Sequence, residues 1–427
     1  MSMKTYITCL LVPLLLLAGC ALEAGQEPVS TPELSPTPTD SILPTPESTQ
    51  TGPGITTLSL WLPPVFDPAS GTPAGDLLQD RLDQFAAQSS DIRIETRVKA
   101  SSGSGGLLDS LSSANAAAPL VIPDLILLPR TSLEIAALKG LLFPFDGLSN
   151  PLNESDWYPF AQELGQIQTS TFGLPFAGNA LISLYRPSEI ETLPVDWVSA
   201  LETGQPIAFP AAEEEAYFPL AQYLSTGAPV QDADGRPFLD SAALIDLLTF
   251  FKDAEAAGVM PFWLTQFTND DQSWEAYTEN QVDTAVTWIN RYLSTLPGDT
   301  AAAPIITQDG APLTLATGWV WALSNPQSEH QALSVDLAEF LTDGEFLSVW
   351  SETAGVLPPR AAALEGWSNI ALRNLVTRVV ESARLIPSNE VMAAVSPALS
   401  QATVDILKQQ STPSRAAVEA IESLENP

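Results

Sequence analysis

The sequence predicts an α/β protein built of two lobes. Three observations carry this. Strand-like and helix-like segments alternate through residues 57–128, the order of a parallel sheet covered by helices. About 370 residues follow a proline-rich leader, more than one ordinary core holds. Residues 120–128 are apolar almost throughout, as a parallel strand buried on both faces must be.

The elements follow in order. Residues 57–62 read as a strand, with Leu58, Leu60 and Leu62 on one side and Trp61 near its C-terminal end. Residues 76–88 carry Leu78, Leu82 and Phe85 at helical spacing. Ile92, Ile94 and Val98 alternate as a second strand, and residues 107–117 form another helix. Gly140 ends the helix that follows the 120–128 strand. Residues 172–175 and 180–185 read as extended segments that change direction, and residues 206–210 as a short strand. Residues 240–257 make a helix buried through Leu244, Leu247, Leu248 and Phe251, with Gly258 at its end. Residues 282–289 and 315–323 are strands, and the chain is mostly helical from Glu329 onward. Asp232-Ala233-Asp234-Gly235 places glycine fourth and has no glutamate at the twelfth position, so it reads as a tight turn rather than a calcium loop.

The N-terminus carries an address. Leu17-Ala18-Gly19-Cys20 closes an apolar run behind Lys4. The run is shorter than the about 20 residues a bilayer span needs. This is the pattern of a bacterial lipoprotein signal, with residues 1–19 removed and Cys20 carrying lipid. Between Gln26 and Gly54 there are 7 Pro, 6 Thr and 4 Ser among 29 residues and no aromatic. Such a segment cannot bury enough apolar surface to order itself, so residues 20–54 are expected to be an extended spacer.

Composition excludes several functions. Cys9 and Cys20 are the only cysteines, so the processed domain is expected to hold no disulfide and no thiolate chemistry. A net charge of −34 argues against nucleic acid and against direct docking on anionic lipid. The single histidine, His330, sits in a polar helix start and reads as solvent-facing. A histidine-based triad or zinc site would depend on it alone.

Several segments, in this order, resemble the bacterial extracellular solute-binding proteins of the sugar-binding type, the receptor subunits of ABC importers. They are Leu60-Trp61, the strand after Pro123-Asp124, Gly140-Leu141-Leu142-Phe143-Pro144, Phe172-Gly173-Leu174-Pro175-Phe176, Thr317-Gly318-Trp319 and Gly355-Val356-Leu357-Pro358-Pro359-Arg360. Tyr185-Arg186 stands where the family usually has Tyr-Asn. The resemblance implies the type II periplasmic-binding-protein-like fold, with discontinuous lobes joined by hinge strands and ligand held between them. The lobes are expected as residues 55–176 plus 303–342 and 177–302 plus 343–427. It also implies a monomer that takes a small solute, a sugar, to permease subunits, with no cofactor and no catalysis. The location is the extracytoplasmic cell envelope.

A sugar offers apolar C–H faces and hydroxyl edges, so its receptor needs aromatic platforms and hydrogen-bonding side chains. Trp61, Trp288, Trp319 and Trp321 lie on strands or at their ends, where α/β crevices open. Trp61, Trp263, Trp288 and Trp319 are the candidate platforms, with core packing as the alternative. Asp124, Asn179, Arg291 and Arg360 are the candidates for hydroxyls. A cap or turn group is the alternative for Asp124, and an ion pair for either arginine. Glu213-Glu214-Glu215 reads as an acidic helix start, with Tyr217 beside it facing the cleft. A surface glycoside hydrolase and a sensory or adhesive lipoprotein remain as alternatives; eight regular βα repeats, which a barrel would need, are not seen.

Overall fold

The computed structural model describes residues 55–425. The expected signal segment, Cys20 and the spacer lie outside them.

The first elements alternate as expected: β1 (Thr56–Leu62), α1 (Pro73–Ala86), β2 (Ile92–Val98), α2 (Leu107–Ala117), β3 (Leu125–Pro129) and α3 (Arg130–Leu138). β1 pairs in parallel with β2 and with β3, as βαβ units require. α1 begins with Thr72 accepting a hydrogen bond from the Gly75 backbone N–H and with Pro73 in its first turn. Its Leu78, Leu82 and Phe85 are buried.

Next come α4 (Pro159–Gly165), a short hairpin of β4 (Gln166–Ile167) and β5 (Ser170–Thr171), and β6 (Gly173–Tyr185). The two extended segments expected around residues 172–185 are thus one continuous strand. The following stretch holds α5 (Trp197–Thr203), β7 (Ile207–Ala208), α6 (Tyr217–Ser225), α7 (Ser241–Ala256), α8 (Asp270–Thr278), β8 (Thr284–Trp288), α9 (Ile289–Thr295) and β9 (Ala301–Ala303). The chain ends with β10 (Thr314–Leu323), α10 (Ser328–Leu341), α11 (Gly344–Ala354), α12 (Ala361–Glu365), α13 (Ile370–Ser382), β11 (Ala383–Leu385), α14 (Asn389–Leu407) and α15 (Pro413–Glu425).

The sheet order is β2-β1-β3-β10-β6-β8-β7, with β11 beside β10 and β9 beside β6. β6 belongs to two halves. Gly173–Ala180 pairs antiparallel with β10, whereas Leu181–Tyr185 pairs with β8 and β9. The chain crosses back between β9, which pairs with the second half of β6, and β10, which pairs with the first. These two crossings make the molecule two-lobed. α11, expected in the second lobe, packs instead on the first: its Trp350 Nε1 donates to the Ala74 carbonyl of α1 at 3.2 Å.

The crossing is tight. A Cβ at Gly318 on β10 would lie 2.4 Å from the Ala177 carbonyl oxygen of β6, and one at Gly178 would meet Leu357 and Phe160 at 3.0 Å. Small residues are required where two strands and a third segment meet.

The first lobe is buried on both sheet faces. Leu58, Leu60, Leu62, Leu125 and Leu127 enter one core, while Trp61, Ile126 and Leu128 enter a second with Leu107 and Leu111 of α2. That two-sided burial explains the unbroken apolar run of β3. In the second lobe, Asp240 caps α7 by accepting from the Ala243 N–H at 2.9 Å. Gly258 ends it at φ +79°, a conformation that favours glycine. Residues 232–235 form the expected turn, closed by Gly235 N–H donating to the Asp232 carbonyl at 3.0 Å.

Candidate ligand-binding cleft

The crossing stretch of β6 places both lobes' strand ends side by side. Trp319 pairs with both Ala177 and Pro129, the last residue of β3. Trp288, the last residue of β8, pairs with Leu181. Ala177, Asn179 and Leu181 share one face of β6, and directly opposed residues in antiparallel strands share a face as well. Trp319, Thr317, Asn179 and Trp288 therefore present on one side of the crossing, and all four are half-buried. The two tryptophans stand about 13 Å apart along the strand.

Each platform is held by a second ring. Phe66, in the turn between β1 and α1, meets Trp319 edge to face at 5.5 Å, and also meets Phe176 and Trp350. Tyr217, the first residue of α6, meets Trp288 edge to face at 5.3 Å. Tyr217 follows Ala216, a non-glycine residue at φ 49°. That strained turn points the start of α6 at the cleft wall.

The polar groups are placed as follows. Asn179 Oδ1 accepts from the Asn290 N–H at 3.2 Å and from the Ala180 N–H at 3.1 Å. Its amide nitrogen makes no hydrogen bond among the described residues. Asn290, in the first turn of α9, lines a cavity of about 280 Å³ together with Phe66, Asp67, Ser294 and Trp350. Its Oδ1 is shielded from solvent and has no partner among the described residues. Glu213 is buried, while Glu214 and Glu215 are exposed. Glu213 Oε2 accepts from the Tyr217 N–H at 3.3 Å, so it does serve the expected helix start. Burial, with Glu215 and Asp270 nearby, pushes its carboxyl up to about 8.

Arg291 is neutralised by two aspartates. Its Nε lies 2.6 Å from Asp270, and its Nη2 pairs with Asp271. Burial raises the Asp270 carboxyl, against the pull of the Thr287 hydroxyl and Arg291. Trp263 packs edge to face on Phe267 at 5.4 Å. The Phe267 carbonyl accepts from the Ala212 N–H at 2.9 Å, which ties Trp263 to the loop before α6.

Three expected site residues stand elsewhere. Trp61 is at the cleft end of β1, yet its ring enters the second core at 2% exposure, with the Lys99 ammonium 4.3 Å above it. Strand alternation turns it to the wrong face. Asp124 precedes β3 and so lies at the far end of that strand from the cleft. It accepts from the Ser59 N–H, from Asn325 Nδ2 and from His330 Nδ1, each at 2.7 Å. His330 is thereby fastened to Asp124 rather than left in solvent. Arg360 lies over Trp157 at 4.0 Å, with Nη2 2.7 Å from Glu154 and Nη1 3.2 Å from Asp156. It fastens residues 154–157 to the segment after Leu357.

Asp124→Ala should leave three donors without an acceptor and lower stability by about 2 kcal/mol. Urea denaturation should show this, while affinity for a cleft ligand stays unchanged. A loss of affinity in a variant of unchanged stability would place Asp124 in the site after all.

Phe66 and Asn290 are not among the residues the sequence points to. Asn290 had a faint signal, two residues after Trp288 at a strand-to-helix junction, where free backbone N–H groups and a polar side chain meet. Phe66 reaches the site through loop geometry that periodicity does not encode.

Two α/β lobes joined by crossing strands, with aromatic and amide groups at the crossing, define a binding protein of the type II periplasmic-binding fold. The sequence profile of the bacterial extracellular solute-binding proteins matches residues 80–372, and this chain belongs to that family. Membership places it outside the cytoplasm. Solved structures agree in fold. The cyclic alpha-maltosyl-1,6-maltose binding protein from Arthrobacter globiformis superposes with a TM-score of 0.72 at 17% identity, covering 87% of this chain and 98% of that one. The sugar-binding protein MalE from Xanthomonas citri gives 0.71 at 17% identity, with 87% and 98% covered. The maltose-binding periplasmic protein MalE from Listeria monocytogenes gives 0.70 at 14% identity, with 87% and 97% covered. No curated protein sequence matched the chain. Among the described residues, no helix is long and apolar enough to cross a membrane, and no cluster of His, Cys, Asp and Glu is placed to hold a metal ion.

Proposed function

We propose that this chain is a carbohydrate receptor that binds its sugar between the lobes and hands it to an ABC importer without chemical change. The observation that carries this is the row Trp319, Thr317, Asn179 and Trp288 on one side of the crossing strand. Two indole faces suit the C–H faces of sugar rings, and the amide between them suits hydroxyls. Trp263 and Tyr217 extend the second wall, and Asn290 and Arg291 border it. Several of the structures it resembles are sugar receptors by description, bound to maltotetraose, maltotriose or mannotriose. Lipid on Cys20 and the spacer up to residue 54 would keep the receptor near its permease.

Isothermal titration against mono- and oligosaccharides tests the reading. A sugar that binds, is recovered intact and loses affinity when Trp288 is replaced supports it. Cleavage of a chromogenic glycoside would replace it with a hydrolase, and a panel in which no sugar binds would remove the carbohydrate assignment.

A further inference from the structure

A second cavity, of about 630 Å³, is lined by Tyr185 of β6, by residues of the 191–195 and 303–307 segments, and by Arg378 and Glu381. β6 leaves the cleft at Leu181, opposite Trp288, and reaches this cavity at Tyr185, opposite Thr284. Four residues of strand, about 13 Å, separate the two places.

The cavity has an apolar wall and a charged mouth. Leu193, Val195 and Ile305 form part of the wall. Arg378 and Glu381 line it from the end of α13. They are three residues apart on that helix, so they project from one face. Both are exposed, and neither makes an ion pair among the described residues.

Thr307 points to a ligand independently. It lines the cavity and is 1% exposed, and its Oγ1 has no hydrogen-bond partner among the described residues. Leaving a buried hydroxyl unpaired costs about 1–3 kcal/mol. Its main chain is fixed on both sides, because its backbone N–H donates to the Val195 carbonyl and its carbonyl accepts from the Trp197 N–H, each at 3.1 Å.

We propose that this cavity binds a small zwitterion with an apolar body, such as leucine, phenylalanine or a dipeptide of the two. The carboxylate meets Arg378, the ammonium meets Glu381, the apolar side chain lies on the Leu193 and Ile305 wall, and the Thr307 hydroxyl gains a partner. A simple anion fits less well, because a protein of net charge −34 repels it as it approaches. A zwitterion has no net charge to repel and uses both signs at the mouth. The site is separate from the cleft, so it stands or falls independently of the carbohydrate reading.

The test is titration of the full chain with leucine, phenylalanine and leucyl-phenylalanine, with N-acetyl-leucine and leucine amide as single-charge controls. The zwitterions should bind, and each control should bind at least about tenfold more weakly. Arg378→Gln, a surface change that should not disturb folding, should lower affinity at least about tenfold. Thr307→Val should do the same without lowering the melting temperature, because it removes an unpaired buried hydroxyl. Trp288→Ala should leave this binding unchanged. No binding up to about 10 mM, equal binding of the N-acetyl control, or binding that survives Arg378→Gln and is lost in Trp288→Ala would each overturn the proposal.

Discussion

Glu213→Gln should make the protein more stable than the parent at pH 8, by up to about 4 kcal/mol, and should change little at pH 4. Glu213 is 7% exposed and accepts one hydrogen bond, from the Tyr217 N–H. Burial, with Glu215 and Asp270 adding like charge, lifts its carboxyl from 4.5 to about 8. The folded protein therefore holds a proton that the unfolded chain releases as pH rises through 4.5. Stability from this group is complete below pH 4.5, falls between 4.5 and 8, and is gone above about 8. Each pKa unit corresponds to about 1.4 kcal/mol, which sets the ceiling. Glutamine keeps an oxygen for the Tyr217 N–H and carries no charge to desolvate. The check is urea denaturation of parent and variant from pH 4 to pH 9. The parent should lose stability through the window more steeply than the variant. Parallel curves would show that Glu213 is ionised in the folded protein at little cost.

Most of the first lobe was legible in the sequence because each element has a one-dimensional signature. α1 shows helical spacing at Leu78, Leu82 and Phe85, and β3 shows the unbroken run of a strand covered on both faces. β6 was harder. It contains two glycines and a proline, all of which read as breaks, yet it runs through 13 residues. Gly173 and Gly178 are there because neighbouring chains press against them, Val320 on one and Leu357 on the other. A glycine that ends a strand and a glycine that lets another chain approach look alike in sequence.

The site was half legible for a related reason. Strand ends can be read from sequence, but which face and which end open on a cleft depends on the partner strand. Trp319 lies on a strand and Trp288 at a strand end, and the register with β6 places them on one face. Trp61 satisfied the same rule and turned into the core. Asp124 sat next to an equally good strand, at its other end. Arg360 had acidic partners within reach in a chain with 51 acidic residues, and nothing in one sequence says which arginine finds them.

Trp288→Ala and Trp319→Ala should each weaken carbohydrate binding by about 2 kcal/mol, roughly thirtyfold in Kd. An aromatic platform in a desolvated cleft contributes through contact area and through exclusion of water, and alanine removes both. The two rings lie on different lobes and touch different partners, Phe66 for Trp319 and Tyr217 for Trp288. At about 13 Å apart along β6 their effects should add. A sugar that spans both rings should therefore lose about 4 kcal/mol in the double variant, close to a thousandfold. A sugar that covers only one ring should respond to one substitution and ignore the other, so the pair of single variants reads out ligand length. Trp288→Phe should restore part of the loss, because a ring remains against Tyr217. Trp61→Phe is the control: its indole lies in the second core, so it should lower the melting temperature and leave Kd unchanged. Titration of the parent and these five variants with one oligosaccharide decides the matter. If neither Trp288→Ala nor Trp319→Ala changes Kd while Trp61→Phe does, the ligand does not lie across the crossing strand.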